Sequence, residues 1–289
     1  MNKRKEAMAG WLFLSPALIV FFAMVFFPVV ASVLLSFTKW NFFSGFDGIK
    51  WIGFDNFVKL FERDRNFKVA VKNTFFYAVT TVPISIIFAL IAAYMLNTKV
   101  FMKKFLRMCF FIPYISSMVA LAAVFRYLFN ANGPVNQVIV ALGGETVKFL
   151  SSSTYCRIPI ISVVIYAGIG FSLIVYMAAL QNVPSELYEA AKIDGATESA
   201  AFFKITLPLI SPTTFYLLVV RMIAAFKIFS ATNIMGAGGK TNGLVNIVYE
   251  EGFRDYNFGY ASAAAWVLVA FILVVTLVQM WGQKKWVHY

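Results

Sequence analysis

Six long apolar stretches run through this sequence of 289 residues and limit the folds available to it. A helix of about 20 apolar residues can cross a bilayer, because its backbone polar groups then bond one another. The chain is 61% hydrophobic and 13% charged, whereas soluble domains are near half apolar and a quarter charged. The sequence therefore predicts an all-α integral membrane protein that forms one domain over residues 1–289. The predicted spans are 11–37, 73–97, 105–129, 159–182, 207–235 and 260–282.

Lysine and arginine give the chain a net charge of +12. In a soluble protein this charge would suggest a nucleic-acid partner, but here the basic residues flank the apolar stretches, so we expect no nucleic acid. An even number of spans places both termini on one side of the membrane. The basic residues are shared equally between the two sides, but the loops on the side of the termini are shorter, and the positive-inside rule weighs short loops most. We therefore expect both termini in the cytoplasm. The stretch 11–37 is too long for a signal peptide and is expected to remain as a span.

The loop 183–206, between the fourth and fifth predicted spans, carries a spaced pattern. It reads Glu-Ala-Ala, three residues, Gly, nine residues, then Ile-x-Leu-Pro, and its fixed positions are Glu189, Ala190, Ala191, Gly195, Ile205, Leu207 and Pro208. The pattern resembles the EAA motif, the cytoplasmic loop by which permeases of ABC importers dock onto their ATPase. A surface amphipathic helix joining two spans is the alternative interpretation. The small residues would let another backbone approach closely, and Gly195 would allow a turn free of Cβ strain.

The resemblance extends over nearly the whole chain. Segments Trp11–Ala17, Trp51–Phe57, Ile112–Tyr114, Ala224–Phe229 and Trp286–Tyr289 are similar to those of maltose-type permeases of the oligosaccharide importer class. Glycerol-3-phosphate permeases share the same patterns. The resemblance implies a type I ABC importer, in which this chain pairs with a second homologous permease, a dimer of ATPase subunits and an extracytoplasmic binding protein. It also implies a location among the lipids of a bacterial or archaeal cell membrane, and ATP and Mg²⁺ on the ATPase. This chain itself is then expected to hold no cofactor and to be no enzyme.

Two features of the sequence indicate whether this chain itself could use ATP or a proton gradient to drive transport. The segment Gly236–Thr241 looks like the end of a nucleotide-binding P-loop, but the Gly that a P-loop needs six residues before its Lys is replaced by Ile234. The six predicted spans contain no Asp or Glu, and the only His is His288. Proton-coupled transporters usually need a titratable group within the membrane. The sequence also shows no catalytic motif and no metal-site spacing, so we predict no catalytic and no metal-binding residue.

Five residues of the spans are candidates for the substrate pathway. Sugar sites stack ring faces on aromatic side chains, and the resemblance implies ligand-facing positions for Tyr114, Gly168 and Phe171. Arg221 and Lys227 are basic residues within the fifth predicted span, and we predict that they line the translocation cavity, because a cation in a span should face protein or water. Helix packing is the alternative role for the aromatic residues and Gly168, and snorkelling to the interface is the alternative for Lys227.

Arg221 departs from the family, in which this position is usually small or neutral. The predicted spans offer it no carboxylate as a partner. Its counter-charge could be a phosphate, a chloride, an acid of the partner permease, or a uronate or similar acidic sugar.

The function that the sequence favours is import of a carbohydrate, with an oligosaccharide as the expected substrate. A permease for glycerol-3-phosphate or another anionic solute is the alternative of the same class. A proton-coupled secondary transporter, and a structural or signalling membrane subunit without transport, are the alternatives of other classes.

Overall fold

The computed structural model describes residues 3–97, 102–152, 154–284 and 286–287, so His288 and Tyr289 lie outside it. Within these ranges the fold is built from helices, with one two-stranded sheet. The helices are α1 Lys3–Phe21, α2 Phe27–Ser36, α3 Asp55–Val58, α4 Arg65–Asn97, α5 Lys103–Ile115, α6 Met118–Leu128, α7 Pro134–Ala141, α8 Arg157–Gln181, α9 Ser185–Ile193, α10 Glu198–Ala201, α11 Leu207–Leu209, α12 Ser211–Phe226, α13 Ser230–Met235, α14 Leu244–Tyr249 and α15 Phe258–Gln283. The strands are β1 Thr38–Lys39 and β2 Lys50–Trp51.

Four continuous helical segments are long and apolar enough to cross a membrane, and two bent pairs of helices pass the same test together. The continuous segments are Gly10–Ser36, α4, α8 and α15. In the bent pairs, α5 meets α6 at 101°, and Glu198–Leu209 meets α12 at 64°. If each bent pair is one span, the described residues contain up to six.

Two of the predicted spans are not single helices. The stretch 105–129 breaks at Ser116 and Ser117, whose backbones are extended, and the Ser116 hydroxyl donates to the carbonyl of Ile112 at 2.8 Å. The stretch 207–235 contains α12, a break at 227–229, and α13. Hydropathy does not register such breaks, because the residues on both sides are apolar. The second predicted span, 73–97, also begins earlier in the structure, at Arg65.

Two prolines of the apolar segments lie two residues after the end of a π-helical turn. The turn Phe22–Phe26 precedes Pro28, and the turn Phe202–Thr206 precedes Pro208. A proline ring lacks an N–H group and clashes with the carbonyl four residues earlier in a regular α-helix. A wider turn at this place relieves the clash, so the chain continues as a helix past both prolines.

The chain divides into two compact units. The first contains Met1–Asp64 and Ile247–Val267, and the second contains Arg65–Asn246 and Leu268–Tyr289. The prediction of one domain over 1–289 stays a prediction. All the residues predicted for coupling and for the substrate pathway belong to the second unit.

The first unit is held together by hydrogen bonds in its loops. Strands β1 and β2 pair antiparallel, with Thr38 opposite Trp51. The buried amide of Asn56 donates to the carbonyls of Ser36 and Thr38, at 2.9 and 2.8 Å. The hydroxyl of Tyr260 donates to Asp64 Oδ2 at 2.6 Å. The two bonds from Asn56 satisfy backbone carbonyls at the end of α2 and in β1, and the bond from Tyr260 connects two side chains that are 196 positions apart in sequence.

The core of the second unit lies where α4, α6, α8 and α13 pack together. Its buried members include Tyr77, Ala122, Ile160, Val163 and Ala231. Small residues at Ala122 and Ala231 allow the helices to approach closely, which is how helices associate within a membrane. This packing leaves a cavity beside it, which is described next.

Candidate functional site

A cavity of about 350 Å³ opens in the second unit beside its core. This volume is at the lower end of the range of about 300–1,000 Å³ that is typical of small-molecule sites. Four of the five residues predicted for the substrate pathway line it, namely Tyr114, Gly168, Arg221 and Lys227. Phe171 is not among the lining residues and lies behind Tyr114.

Breaks in two apolar helical stretches form much of the cavity wall. Ser116, at the bend between α5 and α6, lines the cavity, and so do Lys227, Ile228 and Phe229, between α12 and α13. Non-helical backbone is tolerated at membrane depth where it is buried in protein or lines a cavity, because water or protein can then satisfy its polar groups. The breaks that hydropathy could not predict are therefore what shapes this site.

Gly168 and Arg221 fit against each other. A Cβ atom at position 168 would overlap Nη2 of Arg221 and lie close to the rest of the guanidinium group. The absence of a side chain at Gly168, on α8, therefore leaves the space that the Arg221 side chain occupies from α12. This pairing joins two residues that the sequence pointed to separately, and it gives Gly168 a role other than helix packing.

The charge of Arg221 is not balanced by an acidic residue of the cavity wall. Its Nε is buried without a hydrogen bond within the described part of the chain, and no acidic residue is among those lining the cavity. A basic residue at membrane depth costs about 2.5–3.5 kcal/mol on insertion scales. With Lys227 also in the wall, the cavity is a cationic site that an anion would stabilise.

Tyr114 is one of two aromatic residues that line the cavity, and the other is Phe229. The Tyr114 ring packs against Phe171 with 5.5 Å between the centroids and 30° between the planes, and 45% of the Tyr114 surface is exposed. Gly170 allows this arrangement, because a Cβ there would lie 3.0 Å from that of Tyr114 and close to the backbone of Phe110. Gly170 is thus the close-packing glycine of α8, and Phe171 supports the Tyr114 ring from behind.

Arg126 lies elsewhere. It is not among the lining residues, and its Nη1 donates to the carbonyl of Ile234 at 3.3 Å. It therefore offers a comparison with Arg221, as a basic residue of a predicted span that does not reach the cavity.

The loop that carries the EAA-like pattern folds as a helix–turn–helix. Helix α9 contains Glu189, Ala190 and Ala191, and it ends at a turn with Gly195 at φ +76°. The N–H of Gly195 donates to the carbonyl of Lys192 at 3.1 Å, and that of Ala196 to the carbonyl of Ala191 at 2.9 Å. These two bonds form the Schellman motif, in which a left-handed glycine ends a helix.

The second half of the loop connects this turn to the next apolar helices. Thr197 begins α10, and its hydroxyl accepts from the N–H of Ala200. Ile205 lies in the π turn Phe202–Thr206, and Leu207 and Pro208 begin α11. The Tyr188 and Thr206 hydroxyls bond at 2.8 Å, which ties α9 to the end of the π turn.

Helix α9 buries no residue within the chain. Glu189 and Ala190 are exposed, and Ile193 is 86% exposed. An isolated helix of nine residues is marginal in water, because most helical stability comes from packing of an apolar face. This exposed helix, with an apolar side chain at its end, has the character of a docking element.

The segment Gly236–Thr241, which resembles the end of a P-loop, is hydrogen-bonded to buried side chains. The amide of Asn73 donates to the carbonyls of Lys240 and Asn242, both at 2.9 Å, and the Tyr77 hydroxyl donates to that of Thr241 at 2.9 Å. The N–H of Ala237 donates to the Thr241 hydroxyl. In a P-loop the backbone N–H groups surround phosphate, whereas this segment is fastened to α4.

Sequence reasoning missed the residues of α4 that hold this segment. Asn73 and Tyr77 are polar residues four positions apart on an otherwise apolar helix, with Thr81 one turn further along. That spacing places them on one face and was the available signal. Their partners are more than 160 positions away in sequence, and nothing local indicates them.

One acidic residue of the first unit, Glu251, has a raised pKa. Burial raises the pKa of Glu251 above its ordinary value, and a hydrogen bond that its carboxylate accepts from Asn257 at 3.2 Å opposes part of that effect. The carboxylate form of Glu251 therefore costs stability in the folded chain.

The sequence profile of the family described as "Binding-protein-dependent transport system inner membrane component" matches residues 85–287, which is more than half of the chain. The chain belongs to this family. The fold class predicted from the sequence, an all-α membrane domain of an ABC importer, is confirmed, and the six predicted spans agree with the four to six candidate spans of the described residues.

Relatives and solved structures indicate which kind of transporter within this family the chain resembles. The chain is 34% identical to the probable ABC transporter permease protein YesP of Bacillus subtilis (strain 168), over 99% of this chain and 94% of that protein. It is 31% identical to the lactose transport system permease protein LacF of Rhizobium radiobacter, over 98% of this chain and 96% of that protein. A crystal structure of a bacterial ABC transporter involved in the import of the acidic polysaccharide alginate contains a chain that matches with a TM-score of 0.83 and 27% identity, over 99% of each chain. These similarities make the chain a multi-pass sugar ABC importer permease.

Proposed function

We propose that this chain is one of two transmembrane subunits of an importer that moves a carbohydrate across the cell membrane by ATP-driven alternating access. An extracytoplasmic binding protein delivers the carbohydrate, and a separate pair of ATPase subunits supplies the energy. Both termini and the loop 183–206 face the cytoplasm in this arrangement.

The observation that carries the proposal is the exposed helix α9 with its glycine turn. Glu189, Ala190, Ala191 and Gly195 occupy the pattern of a docking loop, and no residue of α9 is buried within the described part of the chain. An ATPase groove that receives this helix would cover its exposed apolar end at Ile193. Helix-in-groove recognition works in this way, with an apolar face covered by the partner.

The structure offers a path from the docking helix to the cavity. The bond between Tyr188 and Thr206 fastens α9 to the segment that leads into α12. Helix α12 has 16 residues, about 24 Å in length, and it carries Arg221 and ends where Lys227 lines the cavity. A shift of α9 with the ATPase would therefore move one wall of the cavity. Substrate and ATP drive such a cycle only by binding its two states unequally.

Carbohydrate is the proposed class of substrate because two of the similar transporters are named for the transport of lactose and of alginate, and both are carbohydrates. The supported ring of Tyr114 offers the kind of aromatic face on which a pyranose can stack. A permease for a small anionic solute such as glycerol-3-phosphate is the second candidate, favoured by the cationic wall at Arg221 and Lys227.

The test is uptake of labelled oligosaccharides by cells that carry or lack this gene, with a Glu189→Ala variant. We expect uptake that depends on the gene and is lost in the variant, because a carboxylate on the docking helix would pair with a basic residue of the ATPase. Glu186→Ala is the matched control, since Glu186 is also an exposed acid of α9 but lies outside the pattern. If Glu189→Ala, present in the membrane at normal level, imports as well as the control does, the docking role is wrong.

A further inference from the structure

The geometry of the cavity points to an acidic carbohydrate as the substrate, with Arg221 binding its carboxylate and Gly168 leaving the space that the guanidinium group occupies. The inference rests on the proposed function and adds the chemical class of the sugar. A neutral sugar and a small anion without a sugar ring are the alternatives that the experiment separates.

The first argument is the unbalanced charge. Arg221 and Lys227 both line the cavity, and none of the lining residues is acidic. Arg221 Nε is buried and has no partner within the described part of the chain. A buried cation of this kind requires a counter-charge, and a ligand carboxylate in the cavity would supply one. A neutral sugar would supply no counter-charge to Arg221.

The second argument is the space made for the guanidinium group. Gly168 lies directly against Nη2 of Arg221, and any side chain at position 168 would displace the group. An arginine that only snorkelled to the interface would need no such space on a neighbouring helix. Arginine also presents a planar pair of N–H groups that matches a carboxylate in two parallel hydrogen bonds, which a lysine cannot do.

The third argument concerns the sugar ring. Tyr114 lines the same cavity as Arg221, and its ring is held by Phe171 at 5.5 Å between the centroids. An aromatic face beside a guanidinium group suits a uronate, because the pyranose ring can stack while its carboxylate pairs. A phosphate or another small anion would use the cation and leave the aromatic face unused.

The experiment compares acidic trisaccharides with neutral ones of the same backbone. The probes are labelled uronate trisaccharides of several linkages, and the neutral trisaccharides made from each by reducing every carboxyl group to a hydroxymethyl group. Uptake is measured in cells that express the wild-type chain with its native partners, Arg221→Gln, Arg221→Lys or Arg126→Gln. The amount of each variant in the membrane is measured by immunoblot, so that a folding defect is recognised.

We expect gene-dependent uptake of at least one acidic probe, with its reduced form imported far less. Arg221→Gln should lower uptake of that acidic probe by about tenfold or more, the effect of losing a charge-assisted hydrogen bond. Arg221→Lys should recover part of it, because the charge remains. Arg126→Gln should leave uptake unchanged, since Arg126 does not line the cavity.

Gly168→Ala tests whether Gly168 acts through Arg221. It should lower acidic uptake in the wild-type background, because the new methyl group takes the place of Nη2, and it should cost little more in the Arg221→Gln background. Such non-additivity is the sign of two residues acting as one unit.

Three outcomes would overturn the inference and leave the proposed function intact. They are gene-dependent uptake of neutral probes alone, equal uptake of acidic and reduced probes, and an equal loss of both in Arg221→Gln. Gene-dependent uptake of glycerol-3-phosphate with none of any trisaccharide would instead contradict the carbohydrate assignment itself.

Discussion

Gly195 allows a quantitative test of how the docking loop works. Its φ of +76° lies in the left-handed region, and a Cβ added there would meet nothing within 4 Å. A substitution therefore meets no clash within the chain, and its cost is backbone strain, about 1–2 kcal/mol for a residue with a Cβ. If docking requires the turn as it is, Gly195→Ala should weaken docking of the ATPase about 5- to 30-fold.

The size of the effect should follow the backbone preference of the new residue and not its volume. Asparagine adopts the left-handed region more readily than alanine, and a β-branched residue does so least. We therefore expect Gly195→Asn to retain more coupling than Gly195→Ala, and Gly195→Val to retain least. If the glycine instead served only to let the ATPase approach, alanine would be tolerated better than the larger asparagine.

The assay is uptake of substrate, together with ATPase activity of the complex purified through a tag on this chain. Gly143→Ala is the matched control, because Gly143 ends α7 in the same type of turn, with φ +85° and no atom within 4 Å of an added Cβ. It imposes a similar strain outside the loop, so it should leave coupling unchanged. If Gly195→Ala retained more coupling than Gly195→Asn, the conformational explanation would be refuted.

Two further predictions concern ATP and pH. The chain purified without partners should show no labelling by a photoreactive ATP analogue, because the segment at Lys240 is hydrogen-bonded to Asn73 and Tyr77. Labelling near Gly239 that is prevented by excess ATP would contradict the proposal that permease and ATPase are separate chains. Burial raises the pKa of Glu251, so its contribution to stability falls as pH rises through a window that begins near its ordinary pKa of 4.5. Glu251→Gln should therefore raise the melting temperature of the detergent-solubilised chain at pH 7.5 and lose this advantage near pH 4.5. Glu145→Gln, at an exposed position, should leave the melting temperature unchanged at both pH values. A higher melting temperature for Glu251→Gln at low pH alone would contradict the predicted direction of the effect.

Helical spans and the spaced loop pattern could be predicted from the sequence because both are local signals. About twenty apolar residues in a row identify a span. The loop pattern is recognised from the spacing of Glu189, Gly195 and Pro208 in the sequence, which does not depend on how the rest of the chain folds. The breaks at Ser116 and Lys227 could not be predicted in this way, because they interrupt backbone geometry without interrupting hydropathy. They nevertheless contribute Ser116, Lys227, Ile228 and Phe229 to the cavity wall.

Contacts between distant residues were also beyond the sequence. Arg221 was a candidate because a cation in a span needs an explanation, and Gly168 was a candidate by resemblance. That each needs the other is visible only where α8 meets α12. The hydrogen bonds from Asn73 to the carbonyls of Lys240 and Asn242 could not be predicted either, because only the folded chain brings these groups together.

The central claim is that ATP drives transport through this chain, and it is tested most directly by separating the two energy sources of the cell. Gene-dependent uptake of a labelled oligosaccharide should be measured in cells treated with arsenate, which lowers ATP, and in cells treated with a protonophore while glycolysis maintains ATP. The account predicts that uptake stops with arsenate and persists with the protonophore, as expected for a chain whose predicted spans hold no Asp or Glu. Uptake that persists with arsenate and stops with the protonophore would contradict it and favour a proton-coupled transporter.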